Sequence, residues 1–405
     1  MAADSHKVTF QGSQGDQLAA RLDLPAGQPR GYALFAHCFS CSKDIYAAAR
    51  ISNALVLQGW AMLRFDFTGL GASEGDFSNT NFSSNVADLV AAANYLRDKH
   101  EAPRMLIGHS LGGAAVLMAA LDVPEAIAVA TIGAPSDPSH VAHNFAGFIK
   151  EIEQEGEAQV TLGGRPFKIK KQFLEDIRSQ NVLRAAGALK KALMIMHAPL
   201  DDYVGIENAS ELFRAARHPK SYVSLDTADH LLTRKRDAFY VGNVLNCWAD
   251  RYLPESEMPG DIPQGEEGAV IVQETGRGKY GNYVVAAGHV QLASEPEDVG
   301  GDNSGPSPYD YLSAALGACT SITLRMYADL KKLPLKRVTV RIRHEKKHAE
   351  DCEACRGKVD HITREIRLEG DLNEAHRIRL REIADKCPVH KTLNAPVIIS
   401  TTMVE

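Results

Sequence analysis

Hydrophobic runs alternate with amphipathic segments along the first 253 residues of the chain. Short runs that are apolar almost throughout are typical of strands buried on both faces, whereas apolar positions three and four residues apart are typical of helices. Amphipathic segments include residues 85–96 and 209–216. The alternation predicts a mostly parallel sheet with helices on both faces. The predicted strands are YALFAHC (32–38), WAMLRFDF (60–67), RMLIGHS (104–110), AIAVATIGAP (126–135), KALMIMHAP (191–199) and YVSLD (222–226).

Residues 136–190 interrupt this alternation. They contain the segment AHNFAGFIKEIEQ and then QVTLGGRPFKI, in which the pair Gly163-Gly164 predicts a hairpin turn. An insertion of this length is typical of a lid over an active site. Four phenylalanines in it either line the covered pocket or pack in the core: Phe145, Phe148, Phe167 and Phe173.

The pattern changes after residue 253. Residues 254–267 are rich in proline, glycine and acidic side chains and have almost nothing to bury, so they predict a linker between domain 1–253 and domain 268–405. The second domain is predicted to be α+β, because its strands and helices do not alternate regularly. Its predicted strands are 269–275, 282–293, 336–345, 359–370 and 396–403, and its predicted helices are 308–330 and 374–386.

Composition narrows the classes of function. With 405 residues, 44% of them hydrophobic, the chain can form two or three packed domains, which excludes a disordered or fibrous protein. The net charge of −6 and the scattered basic residues predict no nucleic-acid or membrane partner. A leader sequence and a long apolar stretch are both lacking, and the seven cysteines are irregularly spaced, so we expect a cytoplasmic protein.

The segment Gly108-His109-Ser110-Leu111-Gly112 matches the G-x-S-x-G pattern, between a predicted strand and a predicted helix. Glycines permit the sharp turn that exposes the serine hydroxyl, and the helix amides that follow point toward a developing oxyanion. The context predicts that Ser110 is a catalytic nucleophile. Leu111 is expected to supply one oxyanion amide.

A serine nucleophile needs a base and an acid, in the chain order Ser, acid, His. His230 follows the strand YVSLD and is the predicted base. Asp201 in MIMHAPLDDYV is the predicted acid, with Asp202 and Asp229 as competitors. The loop that begins at His37 is expected to supply the second oxyanion amide, and His37 itself to shape that loop. The donor is predicted to be Cys38 or Phe39.

The segments AHCFSCSKD, RFDFTGLGASEGDF and GHSLGG resemble the α/β-hydrolases, most closely the cinnamoyl (feruloyl) esterases. The resemblance covers about residues 5–253. It implies an α/β-hydrolase fold and the hydrolysis of small esters, including those of aromatic acids, without a metal. Cys38 stands where this family commonly has glycine, which raises the prospect of an altered oxyanion loop or of redox sensitivity.

Two cysteines of the second domain, Cys319 and Cys387, could by composition alone be buried core thiols. The surrounding sequences GPSPYDYLSAALGACTSIT and IADKCPVHKTL, however, resemble the OsmC/Ohr family of thiol-dependent peroxidases over about residues 268–404. The resemblance implies that Cys319 attacks an organic hydroperoxide and that Cys387 resolves the sulfenic acid as a disulfide, with an external thiol as reductant.

The same resemblance implies an arginine that holds the thiolate, for which Arg277 is the candidate, and an acid that orients this arginine. The family often has glutamate ten residues before the first cysteine, where this chain has Tyr309 and then Asp310. The family also implies a homodimer or a higher homo-oligomer.

Residues 344–355 hold four side chains of metal-ligand type: His344, His348, Cys352 and Cys355. Their density is compatible with zinc, a Cys-x-x-Cys pair is compatible with redox chemistry, and the charged run around them is compatible with a solvated hairpin tip. No cofactor is otherwise predicted. The sequence therefore predicts a serine esterase fused to a thiol peroxidase, with small esters and hydroperoxides as substrates. The alternative is an esterase whose second domain only dimerises or senses redox state.

Overall fold

The computed structural model describes residues 4–25, 29–38, 41–162, 164–253, 262–276, 279–348 and 358–403. The chain forms two compact units, Met1–Asp261 and Ile262–Glu405, and the division falls inside the segment 254–267. Among the helices of the described residues, none combines the length and the apolar character that a bilayer crossing requires.

The first unit is built on an eight-stranded sheet with the order β1-β2-β4-β3-β5-β6-β9-β10. The strands from β4 to β10 are parallel, whereas β1 and β2 pair antiparallel at one edge. The central strands are buried along their whole length, as their continuous apolar sequence predicts. The strands of this sheet are β1 (Asp4–Gln11), β2 (Gln17–Leu24), β3 (Gly31–Ala36), β4 (Trp60–Phe65), β5 (Pro103–His109), β6 (Ala128–Ile132), β9 (Ala192–His197) and β10 (Lys220–Ser224).

Helices cover both faces of this sheet, and each face has its own apolar core. One face packs against α1 and α8, whose buried residues include Ile51 and Leu245. The other face packs against α2, α3, α6 and α7, and its core includes Leu89, Val116 and Leu212. This confirms the predicted α/β-hydrolase fold. These helices are α1 (Tyr46–Val56), α2 (Phe82–Lys99), α3 (Leu111–Ala119), α6 (Val182–Ala188), α7 (Glu207–Ala215) and α8 (Lys235–Ala249).

The insertion 136–190 contributes to the core of the first unit. It starts with a 3-10 segment (Pro138–Phe148) and α4 (Ile149–Glu155), and continues into a hairpin of β7 (Glu157–Leu162) and β8 (Arg165–Lys170). The two strands pair up to Leu162 and Arg165, on either side of the predicted turn, and Gly163 of that turn lies outside the described residues. Helix α5 (Lys171–Ser179) then buries Phe173 in the core, where Phe145 also lies, whereas Phe148 is 40% exposed.

The second unit contains two separate sheets and a long helix. Strands β11 (Val270–Glu274), β12 (Asn282–Ala286) and β13 (His289–Ala293) form one sheet, and β14 (Leu335–His348) and β15 (Lys358–Gly370) form the other. Helix α9 (Pro308–Leu330) packs against β14 and α10 (Glu374–Ala384), and α11 (Pro388–Leu393) follows.

Two predictions for the second unit are wrong. Residues 282–293 form two strands, because Ala287 and Gly288 both have positive φ angles and make the tight turn of a hairpin. Residues 396–403 form no regular element and pair with no strand of the described chain. A strand needs a hydrogen-bonded neighbour, and these residues have none among the described strands. Ile398 and Ile399 are exposed there.

Candidate functional site

Ser110 lies in a sharp turn between β5 and α3. Its φ and ψ angles, 55° and −127°, are unusual for a residue with a side chain. A Cβ added to Gly108 would lie 2.2 Å from the carbonyl oxygen of Gly112, so only glycine allows the strand and the helix to approach this closely. The turn is held by the Ser110 amide, which donates to the carbonyl oxygen of Ile132 at 2.8 Å.

Three predicted residues form one hydrogen-bonded chain. The Ser110 hydroxyl lies 3.0 Å from Nε2 of His230, and Nδ1 of His230 lies 2.7 Å from Oδ2 of Asp201. The other oxygen of Asp201 accepts the amides of Tyr203 and Val204, each at 2.9 Å. Burial opposes ionisation of Asp201, but these hydrogen bonds hold its pKa below the ordinary value. The chain can accept a proton from serine and stabilise the imidazolium that forms.

The competing aspartates do not join this chain. Asp229 accepts hydrogen bonds from the amide and the hydroxyl of Thr233. Among the described residues, none forms a hydrogen bond or an ion pair with the Asp202 side chain. The geometry therefore selects Asp201 as the partner of His230.

Two buried histidines that sequence reasoning did not assign hold the loops of this site. His109 donates from Nε2 to the carbonyl oxygen of His230 at 2.7 Å, and burial lowers its pKa to about 4. His197 donates from Nε2 to the carbonyl oxygen of Val204 at 2.7 Å, and burial lowers its pKa as well. Both imidazoles are neutral hydrogen-bond donors at pH 7. The sequence offered one signal for each role: His109 directly precedes Ser110, and His197 lies just before Asp201.

The predicted oxyanion donors lie at two adjoining segments. Leu111 is the first residue of α3, where helix amides have no partner within the helix. Cys38 is buried just beyond β3, and Phe39 lies outside the described residues. Cys38 is joined to Cys41 by a disulfide that the sequence analysis did not predict. The signal was the Cys-x-x-Cys spacing in AHCFSCSKD.

A buried ion pair fixes the far end of this loop. Asp66 accepts the backbone amide of Lys43 at 2.6 Å and its ammonium group at 2.9 Å. Burial lowers the pKa of Lys43, but hydrogen bonds to Asp66 and Asp44 outweigh burial and raise it above the ordinary value. Arg64 donates to the carbonyl oxygen of Lys43. These contacts hold the backbone of Lys43 in one place.

Exposed apolar side chains lie close to two of the triad residues in the sequence. The Tyr203 ring is 62% exposed and its centroid lies 5.2 Å from that of His230. Leu200 precedes Asp201 and Leu231 follows His230, and both are exposed. We call these three side chains the apolar rim, in which the Tyr203 ring places apolar surface beside His230.

The two thiols of the second unit meet between α9 and α11. Cys319 is half-buried, Cys387 is fully buried, and Cys319 is among the groups that lower the pKa of Cys387. Burial raises the pKa of Cys387, but hydrogen bonds from Cys319, from the His390 and Val389 amides and from Thr320 outweigh it, and the pKa is lowered. The pair can therefore hold a thiolate beside a second thiol.

Arg364 supports this thiol pair and was missed in the sequence. Its Nη1 donates to the hydroxyl of Thr320 at 3.1 Å and to the carbonyl oxygen of Ala384 at 3.0 Å. Its Nη2 donates to Asp385. The guanidinium group therefore orients Thr320, which in turn contacts Cys387. Arg364 is far from both cysteines in the sequence, so no local motif marked it.

Three of the remaining candidates of the second unit lie outside the described residues: Arg277, Cys352 and Cys355. The side chain of a fourth candidate, His348, is not described either. Within the described residues there is no cluster of three or more metal-ligand side chains.

His344 hydrogen-bonds Asp360 at 2.8 Å and stacks on Tyr309, with a centroid distance of 4.3 Å. Asp310 caps α9 by accepting the amide and the hydroxyl of Ser307. It lies about 13 Å along the helix from Cys319, since each residue adds about 1.5 Å. Asp310 is therefore a capping residue.

Family models match both units. Residues 27–155 match the family described as serine aminopeptidase, S33, and residues 301–402 match the OsmC-like protein family. Among curated proteins, the mouse mitochondrial palmitoyl-protein thioesterase ABHD10 is 27% identical over 202 residues, which are 47% of this chain and 65% of that protein. The chain thus spans less than two thirds of that relative.

Solved structures resemble the first unit. The esterase domain of a Rhodothermus marinus protein is 54% identical, covers 62% of this chain and 99% of its own, and has a TM-score of 0.52. Est1E from Butyrivibrio proteoclasticus, with ferulic acid bound, is 19% identical, covers 60% of this chain and 99% of its own, and has a TM-score of 0.51, which shows the shared fold. The chain therefore belongs to the α/β-hydrolase esterases through its first unit, and an OsmC-like domain follows that unit.

Proposed function

We propose that the first unit hydrolyses small acyl esters, aromatic ones included, through Ser110, His230 and Asp201. The observation that carries this proposal is the hydrogen-bonded chain from Asp201 through His230 to the Ser110 hydroxyl. The partly exposed Ser110 and the adjacent amide of Leu111 support it, because an ester carbonyl needs both a nucleophile and an oxyanion site.

In the proposed reaction His230 takes the Ser110 proton at Nε2 as the hydroxyl oxygen attacks the ester carbonyl. The amides of Leu111 and of Cys38 or Phe39 stabilise the negative oxygen of the tetrahedral intermediate. His230 then gives its proton to the departing alkoxide, and the acyl group remains on Ser110. A water molecule, activated by His230, releases the acid and restores the serine. Ionised Asp201 stabilises the imidazolium in both halves of the reaction.

The choice of acyl group rests on the apolar rim and the insertion. Tyr203, Leu200 and Leu231 favour an apolar acyl chain over a charged one. The names of the similar proteins suggest two chemical classes, an aromatic acid for Est1E and a palmitoyl thioester for the mouse protein. We propose short or aromatic acyl groups, with residues 136–190 as a partial cover of the pocket.

A panel of esters tests this assignment. It should contain acetyl, butyryl, feruloyl and palmitoyl esters together with the matching thioesters. We expect the highest kcat/KM for short or aromatic acyl groups, and Ser110→Ala should lower turnover by about 10⁴-fold or more. Ser210→Ala, in an exposed position of α7, is the matched control and should keep full activity. Full activity of Ser110→Ala would contradict the triad, and a preference for palmitoyl thioesters would contradict the acyl assignment.

We propose that the second unit reduces organic hydroperoxides with Cys319 and Cys387. The contact between the two thiols carries this proposal, together with the lower pKa of Cys387. Half-buried Cys319 is the more accessible sulfur and attacks the peroxide oxygen, while the Cys387 thiolate can accept its proton. Cys319 becomes a sulfenic acid and an alcohol leaves. Cys387 then displaces water to form a disulfide, which an external thiol reduces again.

The alternative for this unit is a dimerisation or redox-sensing module without turnover. Steady consumption of an organic hydroperoxide in the presence of excess thiol distinguishes the two. We expect Cys319→Ser to abolish consumption of the hydroperoxide. We expect Cys387→Ser to leave Cys319 over-oxidised to the sulfinic acid, which mass spectrometry of the protein detects. One oxidation event without turnover would favour the sensor. A Cys352–Cys355 disulfide as the first product would contradict the assignment to Cys319.

We also propose that the chain forms a homodimer through its second unit. Helix α9 exposes Ile322, Met326 and Leu330, which follow one another at four-residue spacing and are 60%, 67% and 75% exposed. Residues 396–403 expose Ile398 and Ile399 as well. An apolar face of this kind is unusual on a monomer and is typical of an interface.

A further inference from the structure

A further cysteine pair lies in the first unit, in the loop after β3. Cys38 and Cys41 are joined by a disulfide and have the two-residue separation of redox-active Cys-x-x-Cys pairs. The Cys41 amide also donates to the carbonyl oxygen of Cys38 at 3.2 Å. The disulfide therefore closes a small ring on Cys38, one of the two residues predicted to supply the second oxyanion amide.

The start of this loop packs directly against the turn that follows Ser110. A Cβ added to Gly112 would lie 2.4 Å from the carbonyl oxygen of His37 and 2.6 Å from that of Ala36. This contact leaves no free space between the loop and the first turn of α3. A change of backbone conformation at Cys38 therefore changes the position of its amide relative to the amide of Leu111.

Both ends of the loop are fixed by other contacts. At its start, buried His37 donates from Nδ1 to the carbonyl oxygen of Cys38 at 2.7 Å, and its ring packs edge-on against Phe67. At its end, Lys43 is held by Asp66 through its amide and its ammonium group. Neither contact uses a sulfur atom, so we expect opening of the disulfide to act at Cys38 rather than at His37 or Lys43.

We propose that Cys38 and Cys41 are a reversible dithiol–disulfide pair that sets the rate of acyl transfer at Ser110. The inference rests on the proposed esterase function and adds a regulation to that site. The closed disulfide holds the second oxyanion donor in position, and the open dithiol releases it. Oxyanion stabilisation acts in the transition state, so reduction lowers kcat and leaves KM nearly unchanged.

The chemistry needs an external dithiol and a peroxide. Cys38 is 6% exposed and Cys41 is partly exposed, so an incoming thiolate attacks the Cys41 sulfur and releases the Cys38 thiolate, which takes a proton. The second thiol of the reductant then displaces Cys41, which leaves two thiols in the protein and one disulfide in the reductant. In the reverse direction, two thiols and one organic hydroperoxide give the disulfide, one alcohol and one water.

The test uses the full chain in two states, treated with dithiothreitol or with an organic hydroperoxide and then freed of reagent. Alkylation followed by mass spectrometry of the peptide that contains residues 38–41 reports whether the disulfide is open. Ester hydrolysis is measured on the same samples. We expect the reduced protein to have a kcat about tenfold lower, since loss of an entire oxyanion donor costs about 10²–10³-fold, and a KM within twofold.

Variants assign the effect to this pair. Cys41→Ser should hold kcat at the reduced level under both treatments, and its thermal midpoint should confirm that it is folded. Cys247→Ser is the matched control, because Cys247 is an exposed free thiol of the same unit. The double variant Cys319→Ser/Cys387→Ser is the control for the second unit. Both controls should keep the full response.

The outcomes separate this inference from the esterase assignment. An equal kcat in both states, with the disulfide shown to open, would overturn the inference and leave the esterase intact. A response that disappears in Cys319→Ser/Cys387→Ser would also overturn it, because control would then lie in the second unit. If no ester were hydrolysed in either state, the esterase proposal would fall and this inference with it.

Discussion

His109 is enclosed in the first unit as a neutral imidazole that donates to the backbone of His230. Burial disfavours the charged form, so the pKa falls to about 4. The same contact fixes the carbonyl group of the residue whose ring must face Ser110. His109 therefore both positions the catalytic base and makes the stability of the first unit depend on pH.

We therefore predict that acid destabilises the first unit through His109. An unfolded histidine binds a proton near pH 6.5 and native His109 only near pH 4, so the unfolded state binds more protons between these values. The free energy of unfolding should fall as pH decreases from 6.5 to 4, by at most about 3 kcal/mol from this residue, since one pKa unit is worth about 1.4 kcal/mol.

Urea unfolding followed by tryptophan fluorescence measures this, because the two tryptophans, Trp60 and Trp248, both lie in the first unit. His109→Gln keeps a donor for the His230 carbonyl but does not titrate. The difference between pH 7.5 and pH 5 should be smaller in this variant. The same difference in both proteins would show that His109 is not a source of the acid sensitivity.

At the thiol site we predict that Thr320→Val raises the pKa of Cys387. Burial already opposes the thiolate, and the Thr320 hydroxyl is one of the groups that stabilise it. Valine has nearly the same shape but cannot donate. The pH profile of reaction with hydroperoxide should therefore move upward by about one unit, in line with the loss of one hydrogen bond to a charged group. Thr323→Val, on the same helix, is the control, and an identical shift in it would refute the role of Thr320.

Sequence motifs located Ser110 because its neighbours in the chain create its geometry. The choice among Asp201, Asp202 and Asp229 depended on which carboxylate faces His230, and that is decided by a contact across 29 residues. Residues that act through long-range contacts were missed for the same reason, as His109 and Arg364 were. Residues whose role depends on their neighbours in the chain can therefore be predicted from the sequence. Residues whose role depends on contacts with distant parts of the chain can be identified only from the structure.

At the scale of elements, the insertion 136–190, which we propose as a partial cover of the pocket, also contributes to the core. Phe173 on α5 is 2% exposed and packs with the residues that cover one face of the central sheet. Removing residues 140–180 would therefore remove core side chains, so a deletion cannot test the lid alone. Point changes in the insertion separate packing from substrate preference.

We predict that Phe173→Ala lowers the free energy of unfolding of the first unit by about 3–5 kcal/mol, the usual cost of removing a buried phenylalanine. Phe148→Ala is the matched control, because Phe148 is 40% exposed in the same insertion, and it should change stability by less than about 0.5 kcal/mol. Tryptophan-monitored urea unfolding gives both values. Equal effects would indicate that α5 is not packed as described.

Strands buried on both faces were predicted more accurately than strands near the edge of the sheet. The central strands were predicted correctly, because continuous apolar runs are required in a sheet covered on both sides. Strands β1 and β2 were missed, because they lie at the edge and alternate buried and exposed residues, as β2 does. Residues 396–403 have a strand-like sequence but pair with no other strand in the described chain.

At the scale of the whole molecule, the two units differ in how well one chain buries their apolar surface. The first unit has two continuous cores, one on each face of its sheet. The second unit has a small core of residues such as Leu324 and Leu380, while Ile322, Met326 and Ile398 remain exposed. Exposed side chains of this size stabilise an assembly when a second copy covers them.

We predict that the full chain is a dimer and that Ile322→Glu/Met326→Glu makes it monomeric. Two carboxylates on the exposed face of α9 would have to be buried without partners, at a cost of several kcal/mol, so association should weaken by at least about 100-fold. Light scattering after size-exclusion chromatography should give twice the 44.0 kDa chain mass for the natural sequence and one chain mass for the variant. Leu57→Glu, at an exposed leucine of the first unit, is the control and should remain dimeric. The esterase site lies within one unit of one chain, so ester turnover should persist in the monomer; a monomeric natural chain would refute the interface on α9.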